Sequence, residues 1–380
     1  MTAAGVDAID TGDPVLQASY RRCHELNARH GRTYFLATRL LPAARRPAVH
    51  ALYAFARLAD EIVDSTTDPR PWPERSQELD SLQDELRAGL SGAQPCSHPV
   101  LHALTDTVDR YSIDPQLFWD FLASMRMDAV GSATEVSEYA SMPELNRYMY
   151  GSASVIGLQM LPVLGTVVSR DRAAPYACAL GIAFQLTNFL RDVGEDLGRG
   201  RVYLPADELA SFGVDRELLE HLRATGGSHS RVRRATAHLV ALTRSIYRSA
   251  EPGIDLLDPA SQPCVRAAYT LYSDILTEIE RADFEVLNHR VVVPRRRRVA
   301  VAGPALLRSL VREARPAGPV ALRAGVLEGH RLRPARDLFC PVTVQRIDRR
   351  TRQGVVDSEE PLEDLQIGVT SVPEHADQAG

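Results

Sequence analysis

The sequence predicts an all-α fold, a helical bundle enclosing a central cavity, and three features carry the prediction. From Pro14 to Leu287, apolar residues recur at spacings of three and four, the period of an amphipathic helix. No run of alternating apolar and polar residues bounded by turn signals interrupts that stretch. Proline and glycine punctuate the chain at helix-length intervals, at Pro42, Pro69, Gly92, Pro115, Pro143, Gly198 and Gly226.

The elements follow in order. After a loose, acidic first dozen residues, helical text starts at Pro14, and Thr33 to Leu41 forms an apolar segment closed by Pro42. His50 to Asp64 is rich in Ala, Leu, Tyr and Phe and ends before the cluster Pro69, Pro71, Pro73. Helices are expected at Glu74–Leu90, Val100–Tyr111 and from Asp114-Pro115 to Met127, the proline sitting in the first turn. Met142-Pro143-Glu144 opens the next, which runs into Tyr148-Met-Tyr150-Gly-Ser-Ala-Ser-Val-Ile-Gly157. Glycine and serine weaken a helix there, so close packing or a bend beside a ligand is expected. Ala173 to Leu197 is one long helix stopped by Gly198 and Gly200, and helices follow at Asp215–Ala224, Ser230–Ala250 and Pro263–Leu287. The domain reading is a flexible N-terminus (1–14), one catalytic domain (15–300), a last helix (301–315) and a poorly ordered extension (316–380) rich in Arg, Pro, Gly and Glu.

Composition excludes several chemistries. All 44 basic residues are arginine, so a Walker lysine, a pyridoxal Schiff base and a lysine general base are impossible. A net charge of -5 offers no global basic field, and no nucleic-acid partner is expected. The five cysteines are scattered and never form a CxxC pair, which argues against a zinc site or a disulfide scaffold. With no apolar run of signal-peptide length in the first thirty residues, a cytoplasmic location is expected.

Two rows of acids point to chemistry. Asp60 and Asp64 share one helical face, and so do Asn188, Asp192 and Asp196. Like charges at that spacing repel unless a cation sits on them. Their donors are hard oxygens, with neither histidine nor thiolate, which suits magnesium, or manganese in its place, bridging to a diphosphate. Gln185 extends the second row by a turn, while Arg57, Arg191, Arg199 and Arg201 adjoin the rows and can bind phosphate oxygens bidentately. A diphosphate that leaves strands a carbocation, which needs apolar and aromatic walls; Tyr34, Tyr53, Phe55, Tyr150, Phe184, Phe189 and Tyr272 all lie on helical segments. The small residues Gly151, Ser152, Ala153 and Gly157 leave room for a long apolar tail. An isolated DxxxD pair is more often a solvated face, a helical tyrosine more often core, and Arg295–Arg298 as readily a solvated cap as a membrane-surface patch. The second row, with its flanking arginines, is what a surface reading does not explain.

These residues carry a resemblance. Ala54-Phe-Ala-Arg57 with Asp60-Glu-Ile-Val-Asp64, Asn188-Phe-Leu-Arg-Asp192-Val-Gly-Glu-Asp196 and Arg201-Val-Tyr-Leu-Pro205 together resemble the phytoene/squalene synthase family over roughly residues 15 to 300. The resemblance implies an isoprenoid-synthase-type bundle in which Asp60, Asp64, Asn188, Asp192 and Asp196 ligate magnesium, and Arg57, Arg191, Arg201 and Tyr203 meet diphosphate. His30-Gly-Arg32-Thr33-Tyr34-Phe35 is similar to the family's phosphate-contacting flap, and Tyr150 matches a tyrosine near the reacting carbons. The implied reaction is head-to-head condensation of two geranylgeranyl diphosphates through a cyclopropyl diphosphate to phytoene, as in the bacterial carotenoid branch. The alternatives are squalene or dehydrosqualene from two farnesyl diphosphates, NADPH entering only if squalene is the product, and, in another class, an inactive relative serving as a scaffold. An apolar product brings the enzyme transiently to a membrane surface.

Overall fold

Each helix begins and ends where local chemistry requires it. In the computed structural model, which describes residues 12–303 apart from 65–69, 130, 131, 133 and 302, α1 (Pro14–His30) starts where the Asp13 carboxylate accepts the Val15 N–H at 2.8 Å. The side chains of Arg32, Thr33 and Asp64 lie outside the described residues, as do the extension 316–380 and nearly all of the expected helix at 301–315. Next come α2 (Arg32–Thr38), α3 (Arg46–Asp64), α4 (Trp72–Leu90), α5 (Pro99–Tyr111) and α6 (Gln116–Met127). They are followed by α7 (Met142–Met149), α8 (Val155–Leu164) and α9 (Arg170–Gly198). The chain continues with α10 (Ala206–Ala210), α11 (Arg216–Thr225), α12 (Ser230–Ala250) and α13 (Gln262–Arg281). Among the described residues there is no strand, only two isolated bridges, Glu138 with Val202 and Thr166 with Leu257.

α9 is the axis. Its 29 residues span about 43 Å, and α8, α12 and α13 pack on it. It is long and apolar enough to cross a membrane by length and composition, yet its neighbours bury more than half of that apolar window. One apolar cluster is built on α1, α3, α5, α6 and α8, and a second on α7, α12, α13 and the C-terminal half of α9. Phe184 and Leu180 of α9 pack against both.

The small-residue run does what its composition predicts. Tyr150–Ser154 forms a π turn between α7 and α8. A β-carbon on Gly151 would lie 2.6 Å from the Asp120 carbonyl oxygen of α6, and one on Gly157 would lie 2.4 Å from the Ala177 carbonyl oxygen of α9, so glycine is what permits both approaches.

The largest difference in a helix boundary is at the end of α13. α13 stops at Arg281 rather than reaching Leu287, because Asp283 and Phe284 take left-handed φ values of 52° and 60° and turn the chain back, the Phe284 N–H donating to Ile279 O at 2.9 Å. The returning segment crosses α9 so closely that a β-carbon on Gly194 would lie 2.0 Å from the Leu287 carbonyl oxygen.

Candidate active site

A cavity of about 960 Å³ runs along the seam between the two apolar clusters. Its lining on α9 is apolar at Ala173, Ala177 and Leu180, aromatic at Phe184, and polar from Gln185 through Asn188, Asp192 and Asp196 to Arg199. On α3 the same order recurs, from Val49 and Leu52 through Tyr53 to Arg57 and Asp60. Both helices therefore carry their acids to one end of the cavity and their apolar residues to the other. Both rows also fall in the last turns of their helices, where the negative end of the macrodipole adds to the repulsion between carboxylates.

Arginines answer that charge. Arg57 pairs with Asp60. Arg191 donates to both Asp192 oxygens, at 2.8 and 2.5 Å; burial opposes its charge, but the bond to Asp192 prevails and raises its pKa. Arg290, which the sequence reading did not single out, donates to Asp192 at 2.8 and 3.3 Å and lies 3.6 Å from Glu195. The Leu287 carbonyl seated on Gly194 is what brings it there. Glycine inside an otherwise acidic helical motif was the one sequence signal of that crossing.

The mouth suits a hard divalent cation by donor type. The Asn188 Oδ1 is buried with no hydrogen-bond partner, while its amide donates to Gln185 at 3.5 Å. An orphaned carbonyl oxygen beside Asp192 and Asp196 is a ligand-ready group. Among the described residues no three of His, Cys, Asp and Glu are gathered as a metal cluster, and arginine side chains hold Asp60 and Asp192.

Between mouth and apolar depth stands an aromatic belt. Tyr34, Tyr272 and Phe184 line the cavity with ring centroids 5.1 Å apart for Tyr34 and Tyr272 and 4.6 Å for Phe184 and Tyr272. Burial raises the Tyr34 hydroxyl above its ordinary pKa and the Tyr272 hydroxyl well above it, so both stay neutral. Tyr53 and Phe189 also line the cavity.

Other expected residues sit elsewhere. Tyr150 is not among the lining residues, whereas Tyr148 and Ser152 on either side of it are. Arg201 is 5% exposed and is not among the lining residues, donating instead to the carbonyl oxygen of the lining residue Asp128 and, at 3.3 Å, to the hydroxyl of the lining residue Tyr203. Tyr203 does reach the lining. Phe55 is core, packed on Phe118 and Phe121 at 5.6 and 5.8 Å, and Gly151 faces α6 rather than the cavity. Arg32, Thr33 and Asp64 fall on side chains outside the described residues.

A helical shell around a cavity that joins a charged mouth to an apolar depth defines a class of enzyme that acts on a charged head carried by a long apolar tail. Residues 27–297 match the family model described as Squalene/phytoene synthase. The phytoene synthase of Arthrospira platensis is 38% identical over 305 residues, covering 77% of this chain and 94% of its own. The 15-cis-phytoene synthase of Synechococcus elongatus is 34% identical over 307 residues, covering 78% and 95%. In fold, a crystal structure of a dehydrosqualene synthase in complex with ligand superposes with a TM-score of 0.67 at 24% identity, covering 78% of this chain and 98% of that one. A squalene synthase from Alicyclobacillus acidocaldarius gives a TM-score of 0.63 at 23% identity, covering 74% and 98%. The chain belongs to the squalene/phytoene synthase family, and it is a prenyltransferase of the phytoene synthase type.

Proposed function

We propose that the protein joins two geranylgeranyl diphosphates head to head, through a cyclopropyl diphosphate, into phytoene, releasing two diphosphates and two protons. The observation that carries this reading is the polarity gradient of a single cavity of about 960 Å³, at the upper end of the roughly 300–1,000 Å³ common for ligand sites. Diphosphate heads lie at the mouth, where Arg57, Arg191, Arg199 and Arg290 neutralise and orient them. Prenyl tails extend past the belt into the apolar end, bounded by Leu161, Leu164, Leu257 and Val265. The Tyr34, Tyr272 and Phe184 rings face the reacting carbons, exclude water and offer their π faces to each cation as its diphosphate departs. Magnesium, or manganese in its place, fits the oxygen donors of Asp60, Asn188, Asp192 and Asp196, with Asp64 extending the first row, and supplies Lewis-acid neutralisation of the departing charge. The reaction needs no reductant. Its hydrocarbon product is passed on at a membrane surface, a contact favoured by the exposed Arg295 and Arg296.

Incubation of purified protein and magnesium with geranylgeranyl or farnesyl diphosphate, with and without NADPH, tests the reading. Phytoene from the twenty-carbon substrate, independent of NADPH, is the expected product. Squalene made from farnesyl diphosphate only when NADPH is present refutes it, and no product from either substrate supports the scaffold alternative.

A further inference from the structure

The cavity wall carries a buried carboxylate that the proposed chemistry does not use. Asp128, which caps α6 and is 6% exposed, lines the cavity together with Tyr148, Phe189 and Tyr203. Its Oδ2 accepts the Tyr148 hydroxyl at 2.5 Å and its Oδ1 the Tyr203 hydroxyl at 2.9 Å, while Arg201 donates to its backbone carbonyl. The rings are stacked as well as bonded: Tyr203 lies 4.2 Å from Phe189 at 6° and 5.7 Å from Tyr148 at 29°.

A carboxylate buried in this way carries a desolvation cost of several kcal/mol, and phenylalanine in place of the tyrosines would keep the stack without burying any charge. The bond to Tyr148 is directional, which the stack alone is not. We infer that Asp128 is a positioning residue that acts through Tyr148, accepting a hydrogen bond from its hydroxyl so that the phenol oxygen's lone pairs and the ring are held towards the reacting carbons. Burial, reinforced by the charge of Asp128, pushes the Tyr148 hydroxyl well above its ordinary pKa, so the phenol stays protonated and the bond persists across the working pH range. Tyr203 holds the carboxylate from its other side, and Arg201 in turn donates to the Tyr203 hydroxyl and to the Asp128 backbone carbonyl, which gives an arginine just after the second acidic row a structural task.

The inference rests on the proposed condensation, so turnover is measured on whichever prenyl diphosphate the wild type consumes; the wild-type product tests that reading and the variants test this one. Asp128→Asn keeps the shape and removes the charge, and is expected to lower kcat by about 10²-fold with KM within about twofold, the size of loss that a misplaced reacting group produces. Tyr148→Phe should lose a comparable amount, and the double variant should be no slower than Tyr148→Phe alone, because the two residues act in series. Losses that multiply in the double variant, or wild-type kcat in Asp128→Asn, overturn the inference. If Asp128→Asn does not fold, as read by circular dichroism, wild-type turnover in Tyr148→Phe overturns it by itself.

Discussion

Replacing Gly194 with alanine probes how the C-terminal segment is fastened over the acidic mouth. The new β-carbon would lie 2.0 Å from the Leu287 carbonyl oxygen and 2.9 Å from its carbon, both backbone atoms with no rotamer to yield. The crossing segment must lift, at an overpacking cost of about 1–3 kcal/mol. Alanine returns about 1 kcal/mol of helix propensity, and the lost Arg290–Asp192 pair, with Arg290 about half exposed, is worth at most about 1 kcal/mol after solvent screening. The net loss is about 0–3 kcal/mol, a melting shift of up to about 10 °C for a domain of this size. Activity should fall further than stability, because the lift removes Arg290 from the mouth. Calorimetry reads the first quantity and diphosphate release under saturating substrate the second. Arg290→Gln should reproduce the loss of activity without the loss of stability, and combining it with Gly194→Ala should add little further loss of activity. Wild-type melting and wild-type turnover in Gly194→Ala would refute the crossing and the role given to Arg290.

Three further outcomes are expected. Asn188→Ala removes an oxygen that bonds nothing, so its melting temperature should stay near wild type while the magnesium concentration for half-maximal activity rises; an unchanged magnesium profile contradicts its assignment as a ligand. Ala177→Phe fills the apolar end of the cavity and should shift kcat/KM towards farnesyl over geranylgeranyl diphosphate by at least about tenfold, read as a ratio of products from mixed substrates. Burial, with the charges of His24 and Arg46, holds His50 at about 3, and its Nδ1 accepts the Asn27 amide at 2.9 Å. The unfolded chain thus binds the proton first as pH falls, and the stability held above about pH 6.5 is lost on the way towards 3, by about 1.4 kcal/mol at about pH 5.5. Denaturant midpoints at the two ends of that range should differ less in His50→Gln than in wild type.

Much of the site was legible because helical spacing is rigid. Asp60, Asn188, Asp192 and Asp196 reach one end of one cavity for the reason their spacing gave, and the arginines beside them hold the charge that spacing left unbalanced. The long helix that became α9 differs from its expected bounds by three residues at the start and one at the end. What escaped was whatever depended on a departure from regular helix. Arg290 reaches Asp192 only because two consecutive residues adopt left-handed φ and send the chain back across α9, and neither Asp283 nor Phe284 announces that conformation. The expected tyrosine was Tyr150, from its place in the motif, but a π turn starts at Tyr150 and the cavity is lined by Tyr148 and Ser152 on either side of it. Arg201 follows the second acidic row closely in sequence, but its side chain is drawn to the Asp128 carbonyl across 73 residues of chain, a contact no local pattern encodes. Phe55 lies among lining residues on α3, yet its position falls on the face that meets α6.

The central claim is that two charged heads are ionised at one mouth while two tails share one apolar cavity. Counting diphosphate against hydrocarbon in a single-turnover reaction with geranylgeranyl diphosphate and magnesium tests it most directly. Two diphosphates released for each forty-carbon phytoene is the expected ratio. One diphosphate released for each forty-carbon product that still carries the other would contradict it.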